Sequence, residues 1–221
     1  MIKPFELKGR VVRLEPLVPE HATELAAAAA EDGSTYAYTR VPVDLQGAQR
    51  YIESALAEQS AGRALPWAVR QHSDQRVVGT TRFLDMDVLM WPPPWPPGVG
   101  RGPEPTDNQP PSVLEIGSTW YARSAQRTAV NTEVKWLQLV HAFDVWRVLR
   151  VSFKTDARNR ASRQAIERLG AQSEGIRRAH ALASDGSVRD SAYFSIVQAE
   201  WPATKHNLQL RLGRGASSPS R

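Results

Sequence analysis

Apolar and polar positions along the 221-residue chain alternate between two periods, and the switches between them mark the elements. RVVRLEPL at 10–17 alternates as a strand does. Pro19 then opens EHATELAAAAA, an alanine-rich run with strong helix propensity. After a polar and aromatic loop around Tyr36, Tyr38 and Pro42, GAQRYIESALAEQ places Tyr51, Ile52, Ala55 and Leu56 at helical spacing. LPWAVRQH and RVVGTTRFLDM read as a hairpin across Ser73-Asp74-Gln75. Residues 91–112 break the pattern, holding nine of the sixteen prolines, which excludes both helix and central strand.

Beyond the break, VLEIGSTWYA predicts a strand, RSAQRT a polar turn, and AVNTEVKWLQLVHAFDVW a helix apolar around most of its circumference, hence buried against a sheet. RVLRVSFKTD follows as a strand and NRASRQAIERLGA as a helix stopped by Gly170. Residues 174–201 predict a hairpin turning at Asp185-Gly186, EWPATKHNLQLRL a last helix, and residues 213–221 a disordered tail. The order β-α-α-β-β-(loop)-β-α-β-α-β-β-α implies an α/β domain over residues 1–212, with a mixed, mostly antiparallel sheet flanked by helices and a proline-rich insertion.

Composition narrows the partners. There is no cysteine, so disulfides, thiolate metal sites and a cysteine nucleophile are excluded, in keeping with a reducing cytoplasm. No His, Asp or Glu cluster has metal-ligand spacing, so no metal is expected. No run of about twenty apolar residues points to a membrane. A net charge of +5 favours anionic partners. Nucleic acid is the less favoured of these, because the basic residues line no single helix face and no nucleic-acid-reading element is recognisable.

The strand, polar turn and buried helix at 113–146 form the richest constellation. A helix N-terminus gathers unpaired N–H groups and the positive end of the dipole, which suits an anion such as a pyrophosphate. Gln126 to Asn131 make that approach, with Arg123 and Arg127 adding charge. The stretch LEIGSTWYARSAQRTAVNTEVKWLQLVHAFD resembles the coenzyme A-binding core of the GNAT acyltransferase superfamily, and RVSFKTDARNRASRQAIERLGAQSEG carries the pattern N-x-x-S-x-x-A-x-x-x-L-G. Together with LKGRVVRLEPLVPEHATEL and YFSIVQAEWP, these segments are most similar to the RimJ/RimL-like branch, over about residues 8–212 apart from the insertion.

The resemblance implies an N-acetyltransferase that moves an acetyl group from acetyl-CoA to a protein N-terminus, a lysine or a small amine. A catalytically degenerate acyl-CoA-binding protein and a basic nucleic-acid-binding module are the alternatives. It further implies diphosphate binding by the turn Gln126, Arg127, Thr128, Ala129, Val130, Asn131 and Thr132, pantetheine pairing along Trp120 and Tyr121, and a pantetheine contact from Asn159. Ser162 matches the position that protonates the leaving thiolate in some members. A departure is that Ala129 and Asn131 stand where the family pattern has glycines. An alanine fits there if its φ is negative, and Asn131 suits a helix cap. Glu115, His180 and Asp190 are the candidate bases, whereas His141 reads as a hydrogen-bonded core residue. Tyr36, Tyr38, Trp91 and Trp95 are candidates to line the acceptor groove, and a homodimer is compatible with the resemblance.

Overall fold

A computed structural model describes residues 2–89 and 109–215; Trp91, Trp95 and most of the proline-rich insertion lie outside the described residues. Eight strands form one sheet: β1 (Leu7–Lys8), β2 (Val12–Pro16), β3 (Ala64–Gln71), β4 (Val77–Asp87), β5 (Val113–Tyr121), β6 (Arg150–Asp156), β7 (Gln172–Leu182) and β8 (Val188–Val197). Their order is β1-β2-β3-β4-β5-β6-β8-β7. Every neighbouring pair is antiparallel except β5 and β6.

That exception positions the site. β5 and β6 pair only over Val113–Arg150, Leu114–Val151 and Glu115–Ser152, and beyond these the two strands run on unpaired with each other to Tyr121 and Asp156. The result is a split in the sheet at the carboxyl ends of its two parallel strands. Helices α3 (Ala129–Val140) and α4 (Arg160–Arg168) begin just past those ends. In open α/β sheets this is where ligands bind.

One face carries α1 (Ala22–Ala30) and α2 (Leu45–Ser60), as the contacts of Tyr51 with Thr80 and Arg82 show. The other carries α3 and the last helix α5 (Trp201–Gly215), which meet through Trp136 and Trp201. Trp67 and Phe83 lie fully buried beneath α3, with Phe5, Trp146 and His141 packed edge and face around them. Burying such rings contributes about 2–3 kcal/mol each against their exposure.

Several boundaries differ from the sequence expectation for local reasons. The first strand begins at Val12 and is preceded by the two-residue β1, too short to carry a period. What holds β1 and β2 together is remote: the Glu133 carboxylate of α3 accepts the amides of Arg10, Val11 and Val12 at 2.6–2.8 Å. Gly9 leaves it room, since a Cβ there would stand 2.4 Å from Glu133 Oε2. α2 starts at Leu45 because Asp44 caps it, accepting from Gly47 N at 2.6 Å. α3 ends at Val140 and widens into a π turn over His141–Val145, and α5 runs on to Gly215, three residues into the predicted tail.

Candidate active site

α3 begins directly after the turn that leaves β5. Its N-cap is Thr128, whose Oγ1 accepts from Val130 N at 3.2 Å and donates to Ala125 O at 2.7 Å. Ala129, Val130 and Asn131 are then the first three helical residues, whose N–H groups have no acceptor within the helix. Asn131 is therefore not the cap, correcting that expectation. The left-handed residue of the turn is Arg127, with φ 59°, whereas Ala129 and Asn131 keep negative φ. The missing glycines thus cost no backbone strain at their own positions. Gln126 braces the turn by donating through Nε2 to Thr35 Oγ1 (3.1 Å) and Tyr121 O (3.0 Å).

On the far side of the split, Asn159 caps α4, its Oδ1 accepting from Ser162 N at 3.0 Å. A cleft of about 750 Å3 opens between this turn and the short 3-10 segment Gly33–Tyr36. Thr35, Tyr38, Arg158, Asn159, Arg160 and Arg163 line it. The hairpin tip of β7–β8 straps across the rim, with Ser184 Oγ donating to Ala37 O (2.6 Å) and Arg158 pairing with Asp185 (3.1 Å). Helix-terminal amides, arginines and a cleft of this size fit a phosphorylated, extended cofactor.

The other half of the arrangement lies on the α1–α2 face of the sheet, over strands that those helices leave uncovered. Glu115 of β5 is 4% exposed, and its Oε2 pairs with Lys154 Nζ of β6 at 3.0 Å. Burial pushes its pKa up to about 7, the Lys154 charge opposing only in part. Gly117, the next residue on the same face, makes space for it: a Cβ there would come within 2.8 Å of Glu115 Oε1. Lys154 also reaches Asp85 at 3.4 Å. Burial lowers its own pKa, but Glu115, with Asp85 and Tyr193, more than offsets this and the net shift is upward.

Lys154 stands opposite Tyr193 in the β6–β8 ladder. Tyr193 OH lies 3.1 Å from His180 Nε2, and His180 Nδ1 lies 2.9 Å from Ser191 Oγ. Partial burial, then the charges of Arg177, Lys154 and Arg189, lower the His180 pKa, so the ring is neutral at pH 7.

Of the sequence candidates, Glu115 and His180 lie on one face, joined through Lys154 and Tyr193, while Ser162 sits half-buried in the first turn of α4. Asp190 is turned away to accept Ala179 N at 2.8 Å, supporting the bulge where Ala179 has φ 47°. Trp120 and Tyr121 are buried and pair with Thr80 and Gly79 of β4; the Tyr121 carbonyl is already taken by Tyr36 OH and Gln126. Tyr36 is accordingly a core residue rather than a groove wall, and Tyr38 alone of the described aromatic candidates lines the cleft. The His141 ring finds no hydrogen-bond partner among the described residues: it stacks on Phe5 at 4.2 Å with Nε2 unpartnered, and burial lowers its pKa to about 4. Lys154 and Tyr193 escaped the sequence reading. Their signal was the alternation of β6 and β8, which puts both on the Glu115 face.

The family model for the acetyltransferase (GNAT) domain matches residues 12–172. The chain belongs to this family. The acetyltransferase uses acetyl-CoA as its co-substrate, and its sheet is the mixed, mostly antiparallel one of the GNAT fold. It is similar to a GCN5-related N-acetyltransferase from Brucella melitensis, with 29% identity, a TM-score of 0.76, and coverage of 95% of this chain and 86% of that one. An acetyltransferase structure from T. thermophilus gives 30% identity, TM-score 0.74, and coverage of 96% and 99%. RimJ from Mycobacterium smegmatis, in complex with CoA-disulfide, shares the fold at 20% identity, TM-score 0.71, and coverage of 94% and 95%. Comparison with curated proteins finds no match. Among the described residues no helix is long and apolar enough to cross a membrane, and no group of three His, Cys, Asp or Glu could hold a metal ion.

Proposed function

We propose that this GNAT acetyltransferase transfers the acetyl group to a primary amine by direct attack of the nitrogen on the thioester, with Glu115 as general base. The supporting observation is Glu115 itself, a carboxylate buried at the mouth of the β5–β6 split with a pKa near 7. A base acts best when its pKa lies near the working pH. Lys154 holds the carboxylate in place. The diphosphate lies on the amides of Arg127 to Thr132 with the Arg127 side chain beside it. Asn159 and the exposed edge of β5 near Trp120 and Tyr121 take the pantetheine.

As the amine attacks, its proton passes to Glu115, the C–S bond breaks, and the leaving sulfur takes the Ser162 proton; solvent then reprotonates Ser162 and takes the proton from Glu115. Both ring nitrogens of His180 are engaged by hydroxyls, so His180 is assigned to holding Tyr193 rather than to the amine. The resemblance to the RimJ/RimL-like branch leaves a protein N-terminus, a lysine or a small amine as the acceptor.

The test combines calorimetric titration with acetyl-CoA and amine-dependent release of free thiol. Micromolar acetyl-CoA binding is expected, with kcat/KM rising through about pH 7 and that ionisation lost in Glu115→Gln. Full activity in Glu115→Gln across the pH range would remove Glu115 as the base. Absence of acetyl-CoA binding would remove the transferase reading.

A further inference from the structure

Among the described residues, Arg82 of β4 is a buried cation with no carboxylate paired to it. It is 8% exposed, its guanidinium stands 5.1 Å from the centre of the Tyr51 ring, and Nε is buried with no hydrogen-bond partner. Among the described residues no carboxylate lies within 4 Å of it. The carboxylates around it are committed elsewhere. Glu58 of α2, close enough to feel the Arg82 charge, is held by two bonds to Arg63. Glu115 and Asp85 share Lys154. Burying a charge is costly unless something pairs with it, and a guanidinium is built to meet a carboxylate or phosphate.

The ladder places this cation beside the proposed base. Arg82 is directly opposite Gly117 and Leu84 is opposite Glu115, so Arg82 and Glu115 share one face at a diagonal position of the β4–β5 pair. Such positions are about 7–8 Å apart. Gly117, opposite Arg82, has no side chain, and Glu115 Oε1 leans into the space this leaves, beside Leu84 Cδ1, which brings the carboxylate toward the Arg82 row. An acceptor whose amine approaches Glu115 therefore extends its neighbouring atoms toward Arg82.

We infer that Arg82 is a specificity-determining residue that receives an anionic group, a carboxylate or a phosphate, carried by the acceptor a few atoms from the nitrogen that is acetylated. This rests on the transferase reading with Glu115 as base, and it narrows the acceptor to an acidic amine. Cation-π contact with Tyr51 holds the guanidinium in place before the anion arrives.

Two matched pairs of acceptors test it: Asp-Ala-Ala-amide against Asn-Ala-Ala-amide for a carboxylate, and phosphoethanolamine against ethanolamine for a phosphate. The wild-type enzyme is expected to favour the acidic member of at least one pair by about tenfold in kcat/KM. Which pair responds identifies the anion. Arg82→Gln is expected to bring that ratio near one by raising KM for the acidic member, with Arg82→Lys restoring part of it. Equal use of both members by the wild type, or an equal loss on both in Arg82→Gln, would overturn the assignment. Calorimetric binding of the same compounds separates this from the transferase reading. Tighter binding of the acidic member that Arg82→Gln abolishes, without acetyl transfer, upholds the anion site and defeats the catalytic assignment. Equal binding of both members defeats the anion site. Retained acetyl-CoA binding by Arg82→Gln shows that the variant is folded.

Discussion

Two glutamates of this acetyltransferase, Glu133 on α3 and Glu115 on β5, are both 4% exposed, and they are buried in opposite ways. Glu133 faces three backbone amides of the β1–β2 turn within 2.8 Å, a set of donors that satisfies a carboxylate without any counter-charge. Among the described residues Glu115 has one salt-bridge partner, Lys154, which is itself shared with Asp85. The first arrangement joins the N-terminal strands to the helix that crosses the sheet. The second leaves a carboxylate that burial destabilises when it ionises, and a proton acceptor near pH 7 is the consequence. Burial alone does not distinguish a structural acid from a chemical one; the donors around it do.

Removing each carboxylate in turn breaks the comparison most sharply. Glu115→Gln is expected to lower kcat by about 10²–10⁴, the usual loss for a general base. It should leave the melting temperature at pH 8 unchanged or raised. The sign follows from linkage. The folded pKa lies near 7 and the usual value is 4.5, so the folded chain holds the extra proton between those pH values. Stability therefore falls as pH rises from 4.5 to 7, and the cost of the buried ion is fully present above 7. A drop in melting temperature at pH 8 with kcat per folded molecule kept would place Glu115 with Glu133 as a structural residue.

Glu133→Ala is the converse. It strands the amides of Arg10, Val11 and Val12, one of them fully buried, and a loss of about 3 kcal/mol is expected in denaturant unfolding. Its kcat per folded molecule should stay within a few-fold of wild type.

How far the sequence carried is uneven, and the same two residues show why. The β5 segment VLEIGSTWY alternates so clearly that Glu115 could be put on a strand before the cofactor turn, next to the split. Whether it was exposed or buried depended on Lys154 and Gly117, and the first of these comes from another strand. Glu133 read only as a polar position in an apolar helix, because its partners are backbone amides 121–123 residues away, which leave no side-chain signature. The π turn at His141–Val145, where Asp144 accepts from Trp201 and Lys205 of α5, and the bulge at Ala179, held by Asp190, likewise depend on partners that local propensity does not show. The N-cap at Thr128 was legible in type but was displaced to Asn131 by the expectation of a glycine pattern.

A third buried ionisable group sharpens the contrast further. Lys135, about two turns into α3 from its Thr128 cap and 6% exposed, meets only neutral oxygens: Thr119 Oγ1 at 2.7 Å, Thr81 Oγ1 at 3.2 Å and Gln138 Oε1 at 3.3 Å. Burial lowers its pKa from 10.5 to about 7. Between those values the unfolded chain holds a proton that the folded chain lacks, so stability rises with pH across that window. Below pH 7 the cost of the buried cation is fully present. Lys135→Met keeps the volume, and Thr81 Oγ1 still reaches Thr119 Oγ1 at 2.8 Å. A gain of about 2 kcal/mol is expected at about pH 6, shrinking toward about pH 10. A pH-independent loss would mean that the ammonium holds the β4–β5 bulge through Thr119 and is worth more than its burial costs.

The smallest effect lies in the cofactor turn, where strain and charge reside in one residue. Arg127 has φ 59°, a conformation that disfavours any side chain, in a turn proposed to hold the diphosphate. Arg127→Gly and Arg127→Ala both remove the charge, but only glycine removes the Cβ that makes the conformation costly. Glycine is expected to raise stability by about 0.5–1 kcal/mol over alanine, while both weaken acetyl-CoA binding by a similar factor. If alanine weakened binding and glycine did not, the backbone of the turn rather than the guanidinium would set the affinity. If neither changed it, the diphosphate would have to rest on the amides of Ala129 to Asn131 alone. The cofactor turn would then resemble the Glu133 cradle, with backbone groups taking an anion without help from a side-chain charge.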